Sequence, residues 1–85
     1  MNDERIGQII SLMAAMLDDT TIPKNVKRAI SNARAKLQEE GDPTVQAGSA
    51  IYLLEEMSED INLPPHARTQ IWNLLNALER IKERQ

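Results

Sequence analysis

The chain has 85 residues, of which 41% are hydrophobic, 27% charged and 2% aromatic, and it carries a net charge of −3 without any cysteine. This length predicts a single domain over residues 1–85. The lack of cysteine excludes disulfides, thiolate metal sites and a cysteine nucleophile, and the uncharged stretch 6–17 is much shorter than the roughly 20 apolar residues of a membrane span.

Apolar residues recur at helical spacing in four segments, which predicts an all-α chain. The first helix covers about residues 3–17, with Asn2 or Asp3 as its N-cap. The second helix starts near Pro23, because proline suits a first helical turn, and it stops at Gly41.

The third and fourth predicted helices also begin at prolines. The third opens at Asp42 and Pro43, a capping residue followed by a proline in the first turn, and the fourth starts after Pro64 and Pro65. Links of about two to five residues are expected between the helices. Each helix is therefore predicted to pack antiparallel to the helix before it.

The sequence repeats itself at an offset of 41 residues. Without a gap, nine of the 44 overlapping positions are identical, which is well above the level expected of unrelated sequences. The identical pairs include Gly7 and Gly48, Asp19 and Asp60, Pro23 and Pro64, and Ile30 and Ile71. Residues 1–41 and 42–82 are therefore each predicted to form one helical hairpin.

Two such hairpins predict an up-and-down antiparallel four-helix bundle, because one hairpin cannot bury its apolar face alone. A short HEAT-like helical repeat is the alternative, since a two-helix period of 41 residues suits such solenoids. The bundle is favoured because solenoids usually need three or more repeats with polar caps.

The sequence offers no recognisable catalytic machinery. The only histidine, His66, falls in the first turn of the fourth helix, where an imidazole can serve backbone groups. The acidic pairs Asp18-Asp19 and Glu59-Asp60 stand just before helix starts, and we expect them to face the positive end of the following helix dipole. No phosphate-binding glycine loop or serine triad is present. We expect no enzymatic activity, metal or cofactor.

Charge changes sign from helix to helix, from −3 over residues 1–20 to +3 over 21–40, −5 over 41–60 and +2 over 61–85. The cations that fall in one arc beside the apolar face of the second helix are Lys24, Lys27, Arg28 and Arg34. Such an arc can bind phosphate. A pI near 5.0 and the absence of interleaved aromatic residues favour a solvated face instead.

The two equivalent helix starts offer a second candidate for a basic site. Residues 24–27 and the pair His66 and Arg68 are expected at one end of the bundle, where they can form a shared site for an anion or a partner. The favoured interpretation is structural, since prolines and polar side chains of this kind also organise a helix start.

Tyr52 and Trp72 break the repeat, because serines occupy their equivalent positions, 11 and 31. The symmetry and the helical wheel place both rings away from the centre of the core stripe. Together with Leu53 they suggest an exposed apolar patch for a partner protein or a second copy. The favoured interpretation is that the rings are half-buried, because each helix of a bundle contacts two neighbours and needs a wide apolar arc.

Two blocks of the sequence are distinctive. They are Asp19-Thr20-Thr21-Ile22-Pro23-Lys24-Asn25-Val26-Lys27-Arg28 and Ser58-Glu59-Asp60-Ile61-Asn62-Leu63-Pro64-Pro65-His66-Ala67-Arg68-Thr69-Gln70-Ile71-Trp72. Together with residues 51–58 they resemble a small archaeal family known as Uncharacterised Protein Family 0147, and the resemblance covers nearly the whole chain. It implies an archaeal source and a helical bundle, but no activity, cofactor or functional residue. Ile61 departs from this pattern, in which a proline is expected.

These observations predict a small, noncatalytic, cytoplasmic protein that acts as an interaction or structural module. The expected partner is a second copy or another protein, and no membrane contact is expected. The alternative is a nucleic-acid accessory protein that uses the basic face of the second helix.

Overall fold

The computed structural model describes residues 4–83, which form four helices joined by short links. The helices are α1 (Glu4–Leu17), α2 (Lys24–Gln38), α3 (Pro43–Glu55) and α4 (Pro65–Lys82). This part of the chain contains no strand, so the prediction of an all-α fold is confirmed. The predicted N-cap at Asn2 or Asp3 lies outside the described residues.

The helix ends follow local sequence chemistry. The Asp42 side chain caps α3 by accepting a hydrogen bond of 2.9 Å from the backbone N–H of Thr44, and Pro43 fills the first turn, as predicted. Pro23 is the extended residue before α2 rather than its first helical residue. The predicted end of this helix at Gly41 is also displaced, because α2 stops at Gln38 and Gly41 lies in the following turn with φ +138°.

Each helix packs against two others. α2 lies between α1 and α3, and α4 closes the ring by packing on both α3 and α1. A HEAT-like repeat would stack α1 on α3 and α2 on α4, but within residues 4–83 no Cα atoms of those pairs lie within 8 Å of each other. The helix pairing is therefore that of a four-helix bundle.

The core runs along the axis of this bundle and consists of aliphatic side chains. Its fully buried large residues are Met13, Met16, Val26, Ile30, Leu54, Ile71, Leu74, Leu78 and Ile81. Burying side chains of this size contributes about 1.5–3 kcal/mol each before entropy is counted. None of the described helices is long and apolar enough to cross a membrane.

The link from α1 to α2 and the end of the link from α3 to α4 have the same backbone hydrogen bonds at an offset of 41 residues. The equivalent pairs are Asp19 N to Met16 O (3.1 Å) with Asp60 N to Met57 O (3.1 Å), and Ile22 N to Asp19 O (3.3 Å) with Leu63 N to Asp60 O (3.2 Å). The α1–α2 link spans residues 18–23 and the α3–α4 link residues 56–64, so both are longer than the predicted two to five residues. The α3–α4 link is the longer one because α3 ends at Glu55 and a turn follows. The symmetry of the complete halves stays a prediction.

Candidate functional site

Asp19, in the link between α1 and α2, is the centre of a polar cluster that joins the two hairpins. Its Oδ1 accepts hydrogen bonds from the backbone N–H of Thr21 at 2.8 Å and from the Thr21 hydroxyl at 2.6 Å. Its Oδ2 lies 2.8 Å from Nε2 of His66, in the first turn of α4. Because an ionised carboxylate only accepts hydrogen bonds, the imidazole donates from Nε2.

These contacts stabilise the charged form of Asp19. The two hydrogen bonds from Thr21 are the main cause, and the bond from His66 adds to them, so that the pKa of Asp19 falls to about 2. A carboxyl group that remains ionised at neutral pH cannot act as a general acid there.

The expected contact of Asp19 with the start of α2 is not formed. α2 begins without a side-chain capping bond, and Asp19 reaches α4 of the other hairpin instead. The turn at Thr21 explains this difference, because it engages one carboxylate oxygen locally and leaves the other directed at His66.

Asp60 makes the corresponding contact from the second hairpin to the first. It accepts a hydrogen bond of 2.8 Å from the Asn25 side chain in the first turn of α2 and another of 2.8 Å from the backbone N–H of Asn62. These bonds, followed by the charge of Arg68, lower its pKa. Positions 19 and 60 are equivalent at the 41-residue offset, and so are positions 25 and 66. The bundle therefore carries two reciprocal contacts between its hairpins.

The cluster of Asp19, Thr21 and His66 differs from a nucleophilic triad. In a triad, one imidazole nitrogen donates to the acid while the other accepts the proton of the nucleophile. Here the Thr21 hydroxyl lies 3.2 Å from the same Nε2 atom that donates to Asp19. The hydroxyl itself donates a hydrogen bond to Asp19. The geometry suits a structural contact between hairpins. Residues 4–83 also bring together no group of three His, Asp or Glu side chains that could hold a metal ion.

A second feature is the exposure of large apolar side chains. Among the described residues these are Val45 (64% exposed), Tyr52 (65%), Ile61 (91%) and Trp72 (65%). All four belong to the second hairpin. Tyr52 and Trp72 therefore face outward, as the repeat symmetry indicates, and the favoured interpretation of half-buried rings is wrong. Leu53 is half-buried.

The predicted patch of Tyr52, Leu53 and Trp72 is divided between two grooves. The α3 groove, of about 500 Å³, is lined by Lys36, Val45, Gly48, Ser49, Tyr52 and Leu53. The Trp72 groove, of about 420 Å³, is lined by Ser58, Arg68, Thr69, Trp72 and Leu75. A helix exposes different faces to its two neighbours, so aromatic rings on α3 and α4 can both be exposed without sharing a surface.

The predicted basic residues are spread over two helices. On α2, Lys24 and Arg28 are exposed, whereas Lys27 and Arg34 are half-buried. At the start of α4, His66 contacts Asp19, and the positive charge of Arg68 helps to lower the pKa of Asp60. Two carboxylates thus accompany the cations at this end of the bundle, which weakens its attraction for anions. The shared anion site stays a prediction.

The sequence interpretation missed Val45, Thr21 and Asn25. Val45 lies seven residues before Tyr52, the spacing of two residues on one helix face, and residues 43–54 carry no charge. Asn25 is the counterpart of His66 at the 41-residue offset, so the repeat pointed to it. Thr21 follows Asp19 at the spacing of a turn in which the carboxylate accepts a backbone hydrogen bond.

Comparison with known proteins places the chain among archaeal relatives. A UPF0147 protein of Pyrococcus furiosus is 49% identical over 94% of this chain and 88% of its own length. A UPF0147 protein of Saccharolobus solfataricus is 41% identical over 96% of this chain and 93% of its own length.

Crystal structures show the same fold. A protein of unknown function superposes with a TM-score of 0.84 at 39% identity, covering 89% of this chain and 88% of that one. A UPF0147 protein from Thermoplasma acidophilum gives a TM-score of 0.84 at 29% identity, covering 92% and 93%. The family model for the uncharacterised protein family UPF0147 matches residues 1–81. The chain therefore belongs to the uncharacterised protein family UPF0147.

Proposed function

We propose that this chain is a noncatalytic protein-interaction module that binds its partner through the second hairpin, residues 42–82. The observation that supports this proposal is the exposure of Val45, Tyr52, Ile61 and Trp72, all in that hairpin, while the core is filled without them. Exposed apolar surface of this kind is unfavourable in water and often marks a protein interface.

The polar cluster around Asp19 supports the noncatalytic part of the proposal. Asp19 is held in its ionised form by Thr21, and His66 directs its Nε2 proton at the same carboxylate. Asp19 cannot take up a proton without weakening a contact between the hairpins, and the Nε2 proton of His66 is engaged in the same contact.

Affinity capture with the tagged full chain, followed by reconstitution with purified components, tests the interaction. A bound protein should lose at least tenfold in affinity when Tyr52→Ser and Trp72→Ser are combined. The matched control combines Ser11→Ala and Ser31→Ala at the equivalent positions of the first hairpin, which should leave affinity unchanged. A partner that binds both variants equally would place the interface elsewhere. Specific turnover lost in the His66→Ala variant would refute the noncatalytic assignment.

A nucleic-acid accessory role is the alternative proposal, and the exposure of Lys24 and Arg28 on α2 favours it. It predicts RNA or DNA binding at low salt that weakens when both residues are replaced by Gln, because phosphate contacts are strongest when counterions are dilute. Undetectable binding at low salt would exclude it.

A further inference from the structure

The outward face of α3 is unusual for a helix at the surface of a bundle. Such helices normally carry charged residues on the side that faces water. In α3 the stretch 43–54 has no charged residue, and its outer face presents Val45, Gly48, Ser49 and Tyr52. Val45 and Tyr52 are 64% and 65% exposed. This face has the composition of a covered surface.

The spacing of these residues gives the α3 groove the shape of a helix-docking site. Val45 and Tyr52 are seven residues apart and lie on one face, with Gly48 and Ser49 between them. Apart from its chain neighbours and the backbone of its own helix, no atom lies within 4 Å of a Cβ atom added at Gly48, so the space above it is open. Two large side chains flanking two small ones form a depression that accepts the ridge of a neighbouring helix.

The surroundings of the groove are acidic. Glu39, Glu40 and Asp42 precede α3, while Glu55 and Glu56 stand at its other end, and all five are exposed. Lys36, on the groove wall, pairs with Glu39 at 3.5 Å. An apolar strip with carboxylates at both ends attracts an apolar strip flanked by cations.

We propose that the α3 groove binds a basic amphipathic helix of another protein. The apolar residues of this helix, spaced three, four and seven apart, pack between Val45 and Tyr52 over Gly48, and its lysines or arginines face the acidic ends of α3. The inference rests on the proposed interaction function and adds to it the surface and the chemical class of the partner.

A second copy of the chain fits this groove less well. An antiparallel two-fold contact centred between Gly48 and Ser49 pairs Val45 with Tyr52, but it also brings Glu55 of one copy beside Asp42 of the other. A parallel contact places Glu55 beside its own copy. Both arrangements oppose like charges, which disfavours self-association through this face.

The experiment uses a library of displayed helices that are randomised along their surface. Helices that bind the full chain are selected from this library. The selected helices should be basic and amphipathic. Their affinity should fall at least tenfold in Tyr52→Ser and in Gly48→Lys, which adds both bulk and positive charge. The matched control is Gly7→Lys, at the repeat-equivalent glycine of α1, where a Cβ is equally unobstructed. This variant and Trp72→Ser should bind as the wild type does.

Five results would overturn the inference. Selected helices that are acidic or neutral would contradict the charge argument, and binding insensitive to Gly48→Lys would place the site outside the α3 groove. A wild-type dimer that Tyr52→Ser dissociates in sedimentation equilibrium would make the second copy the occupant. Loss of binding through Trp72→Ser alone would overturn the α3 assignment while retaining the proposed interaction function. The absence of any selected binder would overturn the inference, whereas the proposed interaction function would fail only if the full chain also captured no partner protein.

Discussion

Replacing isoleucine with valine at three positions tests the repeat and the assignment of the core together. Ile30 and Ile71 are equivalent at the 41-residue offset and both are 0% exposed, whereas Ile61 is 91% exposed. Replacing a buried isoleucine with valine removes one methylene and costs about 0.5–1.5 kcal/mol. The same change at Ile61 removes no buried contact and should alter stability by less than about 0.5 kcal/mol.

These changes are large enough to measure and small enough to keep the chain folded. For 85 residues the total stability is roughly 4–13 kcal/mol, at about 0.05–0.15 kcal/mol per residue. A loss of about 1 kcal/mol lowers the melting temperature by about 4–8 °C. With a urea dependence of about 1–3 kcal/mol per molar, it lowers the unfolding midpoint by roughly 0.3–1 M.

Urea unfolding followed by circular dichroism is the assay. Ile30→Val and Ile71→Val should cost the same within about 0.5 kcal/mol, because the predicted symmetry of the two halves would give them equivalent surroundings. A difference above about 1 kcal/mol would refute equivalent environments for the two residues. A cost for Ile61→Val as large as for the buried pair would refute the assignment of the core.

Three further predictions follow from the links, the glycines and the exposed aromatics. The folded-state pKa of Asp19, about 2, lies below its unfolded value near 3.9, so its contribution to stability is complete above about pH 4 and is lost as the pH falls towards 2. Asp19→Asn should therefore make the acid unfolding curve less steep when stability is measured against pH. An unchanged curve would contradict this prediction. Gly41→Ala should destabilise the chain by about 1 kcal/mol or more, because Gly41 has a positive φ. Gly7→Ala should instead stabilise it by about 0.5–1 kcal/mol, because Gly7 lies in an open helical position. Thermal melts that reverse these signs would refute the argument. Self-association through the Trp72 groove predicts a dimer in sedimentation equilibrium at about 10 μM that Trp72→Ser dissociates; a monomer at that concentration would exclude a contact of this strength.

The helices were predictable from the sequence because their signals are local. The apolar spacing indicates the core face of each helix, and Asp42 followed by Pro43 indicates where α3 begins. The ends were less predictable, since α2 stops at Gln38 although Gly41 is the stronger stop signal. Gly41 lies three residues after the end of α2 and forms part of the turn into α3.

The contacts between the hairpins depend on their packing, which local sequence does not determine. Asp19 precedes α2 in sequence, and a local argument assigned it to that helix. In the bundle, its Oδ2 lies 2.8 Å from Nε2 of His66, in the first turn of α4. The repeat symmetry indicated the outward orientation of Trp72, although the wide apolar arc of a bundle helix favoured half-burial. The separation of Trp72 from Tyr52 depends on how α3 and α4 pack.

The reciprocal contacts of Asp19 with His66 and of Asp60 with Asn25 mean that the segment joining the hairpins, residues 39–42, is not their sole attachment. Each hairpin is held by two noncovalent ties at one end of the bundle, while residues 39–42 join the chain at the other end. In thermodynamic terms, this connection sets the effective concentration at which the two halves meet. The ties lie at the end where the chain does not join the hairpins, so they oppose a separation of the two halves that this connection alone would permit.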